Sequence, residues 1–76
     1  MEIRARCFGK RFCTFCGHTN MHYYTWQEDG ETKCLGECFT RGCGNVDWCH
    51  NKTEAEVKKQ YGDHMLPPDY DTIILR

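Results

Sequence analysis

The residues best suited to chemistry in this 76-residue chain are its seven cysteines. Cys13 and Cys16 are separated by two residues and followed by Gly17, a spacing in which two thiolates bind one metal ion above a tight turn. We call such a cysteine pair a knuckle. Because a structural zinc site takes four ligands, usually as two close pairs, the sequence predicts a second knuckle.

Two cysteine pairs are candidates for the second knuckle. Cys34 and Cys38 have three residues between them, whereas Cys38 and Cys43 have four and are followed by Gly44. The hairpin predicted below puts Cys38 opposite Met21, near the first knuckle, and carries Cys34 farther away along the strand, which favours the second pair. The expected ligands are Cys13, Cys16, Cys38 and Cys43. Zinc is the expected metal, with iron in a four-thiolate site as the alternative.

The cysteine count and the start of the chain favour metal over disulfides. An odd number of cysteines leaves one thiol unpaired in any all-disulfide scheme. The first residues are basic but lack the apolar stretch of a signal peptide, and no run approaches the ~18 apolar residues of a membrane span. We therefore expect a cytoplasmic protein without a membrane partner.

Four further candidate ligands allow two interpretations. They could hold a second zinc ion, or the cysteines could be small buried apolar residues with the histidine at the surface. These residues are Cys7, Cys34, Cys49 and His50. The expected cofactor is therefore one zinc ion, with two as the alternative.

Catalysis is not expected. Cys49 and His50 are neighbours in sequence, and adjacent side chains seldom face each other as nucleophile and base. The carboxylates Glu28, Asp29 and Glu31 cluster at a predicted hairpin tip, where solvated charges are common, and no glycine-rich phosphate loop occurs. The sequence predicts a non-enzymatic module.

Basic and aromatic residues in the first third of the chain could form a nucleic-acid surface. Bases stack on exposed aromatic rings, and cationic side chains contact phosphates. The candidates are Arg4, Arg6, Lys10, Arg11, Tyr23, Tyr24 and Trp26. Against this, the formal net charge is -1, and in so small a domain aromatic side chains are usually needed for packing.

A strand and a hairpin are expected to position the knuckles. Residues 2–12 alternate apolar and basic side chains, which indicates a short basic strand or arm. Residues 21–28 are rich in aromatics, and Asp29-Gly30 is a type I′ turn signal, so a return strand should follow. With these two turn residues, Thr25 pairs with Cys34 and Met21 pairs with Cys38.

One helix is expected near the C-terminal end. Thr53-Glu54-Ala55-Glu56 is a capping-box pattern, Gly62 is placed to end the helix, and Pro67-Pro68 prevent its continuation. The predicted fold class is a small metal-stabilised α+β domain, a zinc-ribbon hairpin with two knuckles plus one short helix. It occupies residues 1–62, and residues 63–76 are expected to form an extended or loosely packed tail.

Two families share parts of this pattern. Cys13-x2-Cys16 with Cys38-x4-Cys43-Gly44 resembles the small zinc-finger activators of late transcription in temperate phages, although Thr14 stands where those proteins usually have proline. Cys13-Thr14-Phe15-Cys16-Gly17, a hairpin and the Thr53–Glu56 helix start are similar to phage restriction-alleviation proteins, whose second knuckle is shorter. Both resemblances imply a phage or mobile-element protein that binds host machinery or DNA.

Two functions are therefore expected, in this order. The first is a module that binds and modulates a larger host protein of transcription or defence, in the host cytoplasm. The second is a zinc ribbon that binds nucleic acid through its basic arm and aromatic strand. Salt dependence separates them, because phosphate binding weakens steeply as salt rises.

Overall fold

The computed structural model describes residues 2–75, which form an antiparallel sheet of five strands and one short helix. The strands are β1 (Ile3–Arg11), β2 (Met21–Glu28), β3 (Glu31–Cys38), β4 (Val46–Asp47) and β5 (Thr72–Leu75). The helix α1 is Glu54–Tyr61, and a 3-10 turn follows at Gly62–His64. Across the sheet the order is β4-β3-β2-β1-β5. The fold is thus a small α+β domain.

The hairpin of β2 and β3 has the predicted turn and register. Asp29 and Gly30 both have positive φ, 53° and 78°, as a type I′ turn requires. Thr25 pairs with Cys34, and at the far end Met21 pairs with Cys38. Cys38 therefore lies beside the chain that leaves the first knuckle.

The sheet is larger than the predicted two-knuckle hairpin. The basic segment after Glu2 is not a free arm, because β1 pairs with β2 along most of its length, with a bulge between Cys7 and Gly9. The C-terminal segment also joins the sheet. Ile3 pairs with Leu75 in β5, and Lys10 forms a bridge to Leu66. Pairing satisfies backbone groups of β1 on both sides, which a loose tail would leave to water.

Each face of the sheet carries its own apolar cluster, because successive strand residues point to opposite faces. The metal-side core, which includes the four predicted ligand cysteines, also contains Phe8, Met21, Tyr23, Cys34, Cys49 and Val57. The opposite core contains Ala5, Cys7 and Tyr24, with partly buried Trp26, Leu35, Phe39, Ile73 and Leu75 packed against it. Tyr23 and Tyr24 thus serve different cores.

The helix has the predicted boundaries. The Thr53 side chain accepts a hydrogen bond from the Glu56 N–H, and the Glu56 carboxylate accepts one from the Thr53 N–H, which is a complete capping box. At the other end the Gly62 N–H donates to the Lys58 carbonyl. Val57 is fully buried and anchors α1 to the metal-side core.

Within residues 2–75 no helix is both long and apolar enough to cross a membrane.

Candidate metal centre

The structure brings the four predicted ligand cysteines together. The Sγ atoms of Cys13, Cys16, Cys38 and Cys43 all lie within 4.8 Å of one another. Cys13 Sγ is 3.6 Å from Cys43 Sγ, and Cys16 Sγ is 3.6 Å from Cys38 Sγ. In a tetrahedron with metal–sulfur bonds of ~2.3 Å, two sulfurs are about 3.8 Å apart. The four thiols therefore fit one tetrahedral metal ion.

The first knuckle is the turn that follows β1. The Cys13 N–H donates to the His18 carbonyl at 2.8 Å, and the Gly17 N–H donates to the Cys13 carbonyl at 2.9 Å. Gly17 has φ 78°, a conformation that costs little only without a Cβ. These bonds fold residues 13–18 into a compact loop that aims both sulfurs at the second knuckle.

The second knuckle joins β3 to β4. The Cys38 N–H donates to the Asn45 carbonyl at 2.9 Å, and the Cys43 N–H donates to the Thr40 carbonyl at 3.0 Å. The loop is tied to the first knuckle through Thr40, whose Oγ1 lies 3.5 Å from Cys16 Sγ and accepts a hydrogen bond from the Asn20 amide. The two knuckles are therefore held together by contacts besides the thiols.

Hydrogen bonds to sulfur favour thiolates in part of this cluster. The Cys16 N–H holds the pKa of Cys13 at about 6, well below 9.0, and the Thr40 hydroxyl lowers the pKa of Cys16. At Cys43 the Asn45 N–H acts in the same direction, but burial and the neighbouring thiols outweigh it and raise the pKa to about 12. Four adjacent thiolates repel one another, so a bound cation is what allows all four to lose their protons.

The second metal site considered from sequence is not assembled. Cys34 and Cys49 do meet, with their sulfurs 3.3 Å apart. Cys7, however, belongs to the opposite core, because strand alternation turns it to the other face. The His50 ring packs edge-on against Trp26 and Trp48. Among residues 2–75, the four-cysteine cluster described above is the one group of three or more such side chains close enough for a metal ion.

The residues predicted to contact nucleic acid do not form one exposed surface. Tyr23 is 0% and Tyr24 2% exposed, so neither ring can stack on a base in this fold, and that prediction is wrong for both residues. Both side chains are part of the apolar cores, Tyr23 on one face of the sheet and Tyr24 on the other.

Three of the four predicted basic residues have partners within the chain. Arg6 forms an ion pair with Glu54, and Lys10 Nζ lies 2.7 Å from an Asp69 carboxylate oxygen. The Arg11 guanidinium lies 4.1 Å from the centre of the Tyr61 ring. Arg4 is exposed. Less positive charge is therefore available for phosphate binding than the sequence alone indicates.

Sequence reasoning missed a cluster of polar side chains around Asp47. Asp47 accepts hydrogen bonds from the Tyr23 hydroxyl at 2.6 Å and from the Tyr61 hydroxyl, and Arg11 donates to the Tyr23 hydroxyl at 3.0 Å. The cluster links β1, β2, β4 and α1. Its members are far apart in sequence, so no local sequence pattern predicts the cluster.

The chain was compared with protein-family models, with curated proteins and with solved structures, and none of the three comparisons found a match.

Proposed function

We propose that this protein is a non-enzymatic zinc-binding module that binds a larger protein through the surface around its first knuckle. The observation that carries the proposal is Phe15, whose side chain is 79% exposed between two metal-ligand cysteines. Burying a phenylalanine side chain stabilises a protein or a complex by roughly 1.5–3 kcal/mol. A partner that covers this ring would gain that free energy.

Zinc is the metal that fits the proposal best. Four cysteine sulfurs at tetrahedral separations are the donor set of structural zinc sites, in which no position is left open for a substrate. Such a site stabilises the fold and supplies no reacting group. That property matches a binding module and gives no support to an enzyme.

The backbone around Phe15 is held in place, so the Phe15 ring cannot move into the core. The hydrogen bonds that close residues 13–18, from Cys13 to His18 and from Gly17 to Cys13, fix the backbone on both sides of the ring. A bound metal holds the flanking sulfurs as well. The ring therefore stays in water unless another molecule covers it.

Other exposed apolar side chains lie near the first knuckle. Phe12 and Leu66 are exposed and line a groove of about 400 Å³ beside the first knuckle. Phe15 lines a second, smaller cavity, of about 300 Å³, with Arg41. We call Phe12, Phe15 and Leu66 the knuckle surface. An aromatic centre beside an arginine is typical of the energetically important part of a protein interface.

Nucleic-acid binding is the second candidate function, and one observation favours it. Arg4, Arg6 and Trp26 line the same open groove, of about 620 Å³, so cationic groups and an aromatic ring are next to each other. Glu2 and Glu54 line this groove too. Their carboxylates oppose phosphate binding, which is why we rank this function second.

The resemblance of the knuckles to small phage proteins suggests the kind of partner. We propose a host protein of the transcription or defence machinery, met in the host cytoplasm.

The test compares two variants of the zinc-loaded, tagged protein as baits in nuclease-treated host extract. Phe15→Ser removes the exposed ring, and we expect it to lose a partner that the wild type retains in 0.3 M salt. Ile74→Thr is the matched control. Ile74 is also exposed, but it pairs with Arg4. Arg4 lies roughly 23 Å along β1 from Arg11, the end of the strand next to the first knuckle. The Ile74→Thr variant should therefore keep the partner.

The second function predicts a different result. Capture would then disappear after nuclease treatment, and Arg4→Ala would weaken binding to a random oligonucleotide while Phe15→Ser would not. Equal capture by wild type and Phe15→Ser would contradict the knuckle surface.

A further inference from the structure

The pair of cysteines outside the metal centre has an arrangement suited to redox chemistry. Cys34 Sγ in β3 lies 3.3 Å from Cys49 Sγ, which follows β4. Both residues are in the metal-side core, with Cys34 0% and Cys49 5% exposed. A disulfide requires the sulfurs to approach to about 2.05 Å. A small movement of the two side chains would bring them to bonding distance.

A metal ion does not account for this pair. Structural metal sites need four ligands, whereas the third leftover cysteine, Cys7, lies on the other face of the sheet. The two sulfurs are also closer to each other than the 3.6 Å pairs of the metal centre. Their proximity therefore calls for a different chemistry.

We propose that Cys34 and Cys49 are a peroxide-oxidisable dithiol, a covalent modification site separate from the metal centre. Hydrogen peroxide suits the site because it is nearly as small as water and Cys49 keeps a narrow exposure to solvent. A bulkier oxidant such as glutathione disulfide would have to displace core side chains.

The reaction balances in two steps. The Cys49 thiolate attacks one oxygen of hydrogen peroxide, the O–O bond breaks, and the departing hydroxide takes a proton to become water, leaving a sulfenic acid on Cys49. The Cys34 sulfur then attacks Cys49 Sγ, the S–O bond breaks, and the second hydroxide leaves as water with the proton of Cys34. Two thiols are oxidised to one disulfide, and one peroxide is reduced to two water molecules.

The local environment gives the two thiols different roles. The hydrogen bond with Cys34 lowers the pKa of Cys49, while the same bond and burial raise the pKa of Cys34. Cys49 is also the more accessible of the two. It is therefore the attacking thiol, and Cys34 is the resolving one.

The disulfide would join β3 to the segment that leads into α1. It would close a loop of about 15 residues, for which loop-closure entropy predicts roughly a hundredfold decrease in the unfolding equilibrium constant. Oxidation would thus fasten the helix to the sheet by a route that does not involve the metal.

The experiment exposes the zinc-loaded chain to hydrogen peroxide, blocks the remaining thiols and maps the peptides by mass spectrometry, with zinc counted on the intact protein. We expect a Cys34–Cys49 cross-link with a mass lower by two hydrogen atoms, one zinc retained, and a higher midpoint of urea unfolding. The Cys34→Ser variant should give no cross-link. Cys7→Ser, the control at a buried cysteine of the other face, should form it normally.

Two results would overturn the proposal. One is a sulfinic acid on Cys49 of the wild type while Cys34 still reacts with the blocking reagent. The other is loss of zinc, with disulfides among the four ligand cysteines, before any Cys34–Cys49 cross-link forms. The wild-type peptide map distinguishes the expected cross-link from both of these results, even if Cys34→Ser does not fold.

Discussion

At the scale of single residues, Asp47 shows how one side chain can join distant parts of the chain. Its carboxylate accepts from two tyrosine hydroxyls, those of Tyr23 and Tyr61. Burial, followed by the Asp47 contact, raises the pKa of both tyrosines, so both hydroxyls stay protonated and able to donate. A hydrogen bond to a charged acceptor contributes about 1.5–3 kcal/mol.

We predict that Tyr61→Phe lowers the free energy of unfolding by about 1–2 kcal/mol, because Asp47 loses one donor and keeps the other. The aromatic ring that contacts Arg11 is retained. Urea unfolding of the zinc-loaded protein measures the loss. Tyr70→Phe, at a half-exposed tyrosine, is the control and should change stability by less than about 0.5 kcal/mol. Equal losses in the two variants would contradict the role of Asp47.

The ligand cysteines allow a second comparison of matched residues. Cys38 and Cys7 are nearly equally buried, at 5% and 4% exposed, but only Cys38 belongs to the sulfur cluster. We predict that Cys38→Ser weakens zinc binding by more than the ~10–100-fold typical of losing an outer-shell partner, while Cys7→Ser leaves the affinity unchanged. Competition with a zinc-binding dye measures both. Weaker binding in Cys7→Ser would indicate that the other face of the sheet also contributes to the site.

At the scale of secondary-structure elements, local sequence signals predicted the hairpin and the helix well. The pairing of strands that are far apart in sequence could not be predicted. The Asp29-Gly30 turn and the Thr53 capping box act within a few residues, so the hairpin register and the helix boundaries could be derived from sequence, and with them the choice of Cys38 and Cys43. The pairing of β1 with β5 joins residues about 70 positions apart. No local pattern encodes that pairing, and β4 has only two residues.

Gly36 is a test of how tightly the hairpin packs. It pairs with Tyr23 across the two strands, and the Tyr23 ring covers it so closely that an added Cβ would lie 2.7 Å from the Cζ atom of that ring. At Gly9 an added Cβ would instead meet the flexible side chain of Met65.

We predict that Gly36→Ala destabilises the zinc-loaded protein by about 1–3 kcal/mol, because the buried Tyr23 ring has no room to move. Gly9→Ala should cost less, since the Met65 side chain can change rotamer. Urea midpoints in excess zinc give the comparison. A larger loss for Gly9→Ala would mean that the Tyr23 ring is the more mobile of the two neighbours.

At the scale of the whole molecule, a metal ion held by the four clustered cysteines would replace part of the core that so short a chain cannot build. It would join the turn after β1 to the loop after β3, and so fasten two chain segments at the same end of the sheet. Structural zinc supplies roughly 10–16 kcal/mol of apparent binding free energy. The fold and the metal are therefore expected to be gained and lost together.

Acid should release the metal and unfold the chain in one step. The pKa of Cys13 in the folded protein is about 6, below the 9.0 of a free thiol. The thiolate form of Cys13 thus contributes folding stability that is present above pH 9 and is lost as the pH falls through 6. Bound zinc competes with protons for the sulfur, so it extends the pH range of the thiolate further downward. We predict reversible zinc release below about pH 6.

The measurement follows zinc with an indicator dye and the fold by circular dichroism during one acid titration. Coincident transitions, and recovery at pH 7.5 when zinc is present, are the expected result. Loss of the circular dichroism signal at a higher pH than zinc release would separate folding from metal binding.

The pairing of β5 with β1 also sets the order in which a newly made chain can be completed. All four ligand cysteines lie between residues 13 and 43, so the metal centre and the hairpin can form before the more distant C-terminal residues pair with β1. The outer edge of β1 then waits for residues 72–75. Until they arrive, that edge presents unpaired backbone groups on which neighbouring chains can pair. In zinc-loaded chains, losses to aggregation during folding should therefore rise when the pairing of β5 with β1 is delayed.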